Sequence, residues 1–84
     1  MAILNEAFLC RRANEIAIQF SQAARVSSPE TAERYRKIIT LNDMTTKRLL
    51  EINRSAMVRP NLAREYLAEA KAVCAAYDLA FEAI

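Results

Sequence analysis

The chain of 84 residues contains no glycine, no histidine and no tryptophan. Glycine-rich phosphate loops, the dinucleotide fingerprint and type I′ hairpin turns all need glycine, where the backbone takes positive φ or closely approaches a ligand. Their absence removes the common nucleotide-binding sites and points away from hairpins. Histidine is the usual general base near neutral pH and the commonest metal ligand. Without it there are no Ser-His or Cys-His nucleophile pairs, and most zinc sites are lost. The sequence reads as non-catalytic, with no metal and no cofactor.

Proline and cysteine are also scarce. Pro29 and Pro60 are the two prolines, and Cys10 and Cys74 the two cysteines. Two widely separated cysteines do not make the framework of a small disulfide scaffold. Free, part-buried thiols in a reducing compartment are the expectation, with a bridge between the first and last helices as the alternative. No stretch approaches the roughly 18 apolar residues of a membrane-spanning helix. The apolar start, Met1 to Cys10, is interrupted by Asn5 and Glu6 and lacks the basic region and cleavage pattern of a secretory leader. A cytoplasmic location is the default expectation.

What is present is alanine, and apolar residues at helical spacing. Hydrophobic residues make up 54% of the chain, but alanine contributes little area per residue, at about 25 cal/mol per Å² buried. In helix 1, about residues 3–25, Leu9, Ala13, Ile16, Phe20 and Ala23 recur at steps of three and four. Ile3, Ala7, Cys10, Ala17 and Ala24 form a flanking row, so the apolar face is wide. Ser28-Pro29-Glu30 is a helix start: a hydroxyl cap, a proline where its missing N–H costs nothing, then a carboxylate at the positive end of the dipole. Helix 2 follows over about 29–57. Its centre, Thr40 to Thr46, is poor in helix formers. A break near Asn42 is possible on that ground, while the nearly in-phase rows on either side favour continuity.

Pro60 opens helix 3, about 60–84, with Asn61 as an alternative cap. Ala63, Tyr66, Ala70, Val73, Tyr77, Ala80 and Ile84 repeat as a heptad-like seam, flanked by Leu67, Cys74 and Phe81. Short connections make neighbouring helices antiparallel. The expected fold is all-α: one small antiparallel three-helix bundle spanning residues 1–84 and associating with further helices. In size and in its last helix the chain resembles microtubule-interacting-and-trafficking modules. In size, Ser-Pro turn and alanine-rich end it is similar to small helical chaperones of secretion machines. Neither likeness includes a motif, so no residue roles follow from it.

Charge is uneven, although the net is only +2. Helix 2 is basic through Arg34, Lys37, Arg48 and Arg54 among others; helix 3 is acidic through Glu65, Glu69, Asp78 and Glu82. Most such residues form solvated faces with cross-helix pairs. Read functionally, these are docking faces, the basic helix of one copy meeting the acidic helix of another. The carboxylate pairs at one-turn spacing lack the histidines of a di-iron site. Asn42, Thr45 and Asn53 fall near the helix 2 seam, where a polar residue either fixes register or turns outward.

These features point to a helical interaction protein: a small subunit, adaptor or chaperone of a larger assembly. The partner is a protein, with a homo-oligomer slightly favoured and Leu67, Cys74 and Phe81 as the contact row. A small phage- or plasmid-encoded inhibitor that docks on a larger enzyme is one alternative. An arginine-mediated nucleic-acid binder is another, disfavoured by the low net charge and the lack of a recognition motif.

Overall fold

Two chain breaks divide the molecule, and both are built without glycine. A computed structural model describes residues 2–84, in which α1 (Glu6–Arg25), α2 (Pro29–Val58) and α3 (Ala63–Ala83) are joined by short turns, the second containing a 3₁₀ turn at Pro60–Leu62. Among the described residues there is no strand, and no residue takes a positive φ. The chain is an all-α three-helix bundle. At the end of α1 the Val26 and Ser27 amides donate to the Ala23 and Ala24 carbonyls, and the Ser27 hydroxyl donates to Ala23 O at 2.6 Å. These bonds satisfy terminal carbonyls that a glycine-based cap would otherwise serve.

Ser28 caps α2 as its sequence indicates, accepting from the Thr31 amide with Pro29 in the first helical turn. The helix then runs unbroken through Asn42 to Val58. Thr40 to Thr46 stays helical because packing on both flanks outweighs a propensity deficit of a few tenths of a kcal/mol per residue. Helix α1 starts at Glu6, three residues later than its apolar spacing suggests. Asn5 stops it there, its Oδ1 accepting from the Phe8 amide at 3.0 Å. Asn61 does not cap α3; the chain enters it through the 3₁₀ turn, with no side-chain cap.

The arrangement around α2 decides everything that follows. Seven residues of α2 are buried, against one in α3 and none in α1. Both outer helices pack on α2, yet no Cα atoms of α1 and α3 lie within 8 Å of each other. The central core is small: Leu49, Ile52 and Ala70, with Ile3, Leu4, Leu9, Tyr66 and Val73 packed against it. Every seam residue of α3 is buried or half-buried, as is every residue of the main α1 row, whereas Leu67, Cys74 and Phe81 are exposed. At the far end Phe20 of α1 packs against Tyr35 of α2, ring centroids 5.3 Å apart and planes tilted by 49°.

Buried asparagines pin α1 to α2. Asn53 is fully buried; its Oδ1 accepts from the Ile3 and Leu4 amides, both at 2.9 Å, and its Nδ2 donates to Glu6 at 3.1 Å. Asn42 donates to the Ala13 carbonyl at 3.3 Å. Both side chains therefore turn inward and fix the register of α1 against α2, as hydrogen-bonded buried amides do.

Candidate functional site

Because α1 and α3 stand apart on α2, a groove opens between them. Its first hollow, about 270 Å³, is walled by Phe8, Leu9, Arg12, Ala13 and Ile16 of α1 and by Cys74, Tyr77 and Asp78 of α3. Asn42, Thr45, Thr46 and Leu49 of α2 form its floor. A second hollow, of about 440 Å³, continues it past Phe20, Phe81 and Glu82, with Arg12, Ile16, Tyr77 and Asp78 common to both. From Phe8 to Phe20 the α1 wall covers about 18 Å at 1.5 Å per residue, or roughly three helical turns.

The lining is mostly apolar and aromatic, with the charges at the rim. Phe8 is 49% exposed and Phe81 39%, so two aromatic rings stand partly in water at the groove. Tyr77 and Phe81 lie one turn apart with centroids at 6.0 Å, forming a short aromatic ledge on α3. Arg12 rims the α1 side, and Asp78 and Glu82 rim the α3 side. Among the described residues none of these three makes an ion pair. Closing α1 onto α3 would take these charges out of water, which is costly unless each gains a partner.

The residues anticipated as a contact row divide here. Cys74 lines the first hollow and Phe81 the second, whereas Leu67, 38% exposed, lies outside both. The row misses the α1 wall, because a flanking position on one helix says nothing about which residues of another helix face it. Phe8 and Arg12 could have been found only as bulky residues just off the main α1 row. Cys10 and Cys74 are both free, and they are exposed rather than part-buried, because both sit on flanking rows beside the faces that pack on α2. Cys10 lines a different hollow, between α1 and α2.

The charged faces are partly paired within the chain. Arg48 bridges from α2 to Glu69 of α3 and also pairs with Glu51, while Arg54 reaches Glu6 of α1 at 3.6 Å. These two arginines thus serve opposite sides of α2 and tie the bundle together. Arg34, Lys37 and Glu65 are exposed and make no ion pair among the described residues. Of the four acidic residues, only Asp78 and Glu82 border the groove. Among the described residues no cluster of three or more acidic or cysteine side chains has metal-binding geometry, and no helix is long and apolar enough to cross a membrane.

The groove can therefore accept an apolar ridge about three turns long, flanked by charges of both signs. That is the geometry of helix-in-groove recognition, in which anchors at i, i+3/i+4 and i+7 enter an apolar channel. No protein-family model, curated protein or solved structure matches the chain.

Proposed function

We propose that the chain is a non-catalytic helical interaction protein, a small subunit, adaptor or chaperone whose groove between α1 and α3 seats a helical surface of a protein partner. The observation that carries this reading is the separation of the two outer helices, which leaves Phe8, Tyr77 and Phe81 along an open channel rather than in a closed core. Aromatic side chains partly exposed in a channel with a charged rim are the usual composition of a contact surface. The non-catalytic part rests on composition: no histidine is available, and Glu69 is held by Arg48. The nucleic-acid alternative draws no support from Arg48 and Arg54, whose charges are paired within the chain on different sides of α2. An inhibitor docked on a larger enzyme would use the same groove, and the identity of the captured protein separates it from an adaptor.

The test is site-specific photo-crosslinking in living cells. A photoreactive side chain at Phe81 should give one discrete protein adduct. The same group at Ile18, which is 51% exposed and lines neither hollow of the groove, should give none. No adduct at Phe81, or equal adducts at both positions, refutes the groove as the docking site.

A further inference from the structure

We propose that the occupant of the groove is a second copy of this chain, docked about a two-fold axis that runs along the groove, so that Arg12 of each copy meets the partner's Asp78. The proposal rests on the reading of the groove as a protein-docking site and names the partner.

Surface area is the first argument. The chain exposes 6050 Å² at 9.5 kDa, whereas a compact monomer of that mass exposes about 5,050 Å². The excess of about 1,000 Å² is close to the roughly 800 Å² that each partner buries in an interface of standard size. The shape agrees. The Cα radius of gyration is 14.7 Å and the smallest extent 12 Å, against about 12 Å for the radius of gyration of a compact chain of this length. The molecule is a flat slab, and a second slab laid on its grooved face supplies the missing layer.

Charge is the second argument, and it selects the axis. Helices α1 and α3 both run opposite to α2 and so run parallel to each other. Arg12 and Asp78 border both hollows of the groove, on facing walls, and Glu82 follows one turn further along α3. A two-fold axis along the groove lays α1 of one copy on the partner's α3 in the same direction and at the same level. Each Arg12 then faces an acidic wall, and the contact occurs twice, as an isologous interface requires. An axis across the groove would instead lay α1 on α1 and α3 on α3, setting the acidic rims against each other. Under the first arrangement Phe8 and Phe81 both leave water, on either side of the Arg12–Asp78 contact.

The experiment is sedimentation velocity on the full chain, with a charge exchange. Wild type should sediment as a dimer at micromolar concentration. Arg12→Glu alone and Asp78→Arg alone each create two like-charge contacts per dimer, and each should weaken self-association about tenfold or more. An equimolar mixture of the two variants should recover the dimer, because only the mixed pair has opposite charges at both contacts. Both positions are exposed, and circular dichroism checks that each variant is folded. Should Asp78→Arg fail to fold, Asp78→Lys replaces it in the mixture. A wild type that stays monomeric at about 100 μM, where a standard interface is populated, overturns the proposal, and so does a mixture that fails to recover the dimer. A monomeric wild type whose Phe81 position still captures a different protein in cells removes the second copy alone and leaves the docking reading standing. A monomer that captures nothing removes both.

Discussion

Replacing Asn53 with alanine should cost about 3 kcal/mol, and the loss should be localised at the start of the chain. Asn53 is fully buried and holds three partners: the Ile3 and Leu4 amides at 2.9 Å and the Glu6 carboxylate at 3.1 Å. A neutral hydrogen bond is worth a net of about 0.5–1.5 kcal/mol and one to a charged group about 1.5–3. The Glu6 side chain is 36% exposed, so its bond belongs at the low end of that range. Residues 3 and 4 are only half-buried, and their freed amides can turn to water, which limits the penalty. Against a total stability of about 4–13 kcal/mol for a chain of this length, 3 kcal/mol is a large fraction.

Urea unfolding followed by far-UV circular dichroism gives the magnitude, and native-state amide exchange gives the location. In Asn53→Ala the Ile3 and Leu4 amides should exchange much faster than amides in the middle of α2. Asn53→Asp is the sharper companion. It loses the donor to Glu6 and sets a buried carboxylate beside another, so its folded-state pKa should rise above the unfolded value of about 3.9. Stability is then fully present below that value and lost as pH rises through the raised folded one. The Asp variant should therefore recover towards wild type on acidification, and Asn53→Ala should not. A cost below about 1 kcal/mol for Asn53→Ala, or unchanged exchange at Ile3 and Leu4, would refute the clamp.

Phe20→Ala should cost about 2 kcal/mol rather than the 3–5 of a sealed core phenylalanine, because Phe20 is half-buried and its main fixed contact is the Tyr35 ring at 5.3 Å; equilibrium unfolding measures it, and a value above about 4 would mean the groove is closed in solution. Ala70→Leu should cost about 1–3 kcal/mol by overpacking, since Ala70 is 3% exposed against Leu49 and Ile52. A stabilised Ala70→Leu variant in the same assay would show that α3 sits further from α2 than the structure has it.

Sequence alone determined the local structure. Ser28-Pro29 opens α2 and Pro60 separates α2 from α3, because a hydroxyl cap and a proline act on their own few residues whatever surrounds them. The α3 seam from Ala63 to Ile84 faces inward for the same kind of reason: a three-four spacing puts those residues on one side of any helix. Asn5 was equally legible as a cap, being followed directly by Glu6, but the apolar Ile3 and Leu4 upstream of it extend the helical pattern and hide the boundary.

Other features belong to the tertiary structure. Thr40 to Thr46 reads as a weak point in isolation and stays helical because it is held between two other helices. Asn42 and Asn53 could have faced either way; their direction depends on the Ala13 carbonyl and on the Ile3 and Leu4 amides, which lie 29, 50 and 49 residues away along the chain. The groove itself is the clearest case. Apolar periodicity tells each helix which face to bury but not how far apart two helices stand on a third. That spacing leaves Phe8 and Arg12 on one wall and Tyr77, Asp78 and Phe81 on the other, a juxtaposition that exists only after α1 and α3 have both docked on α2.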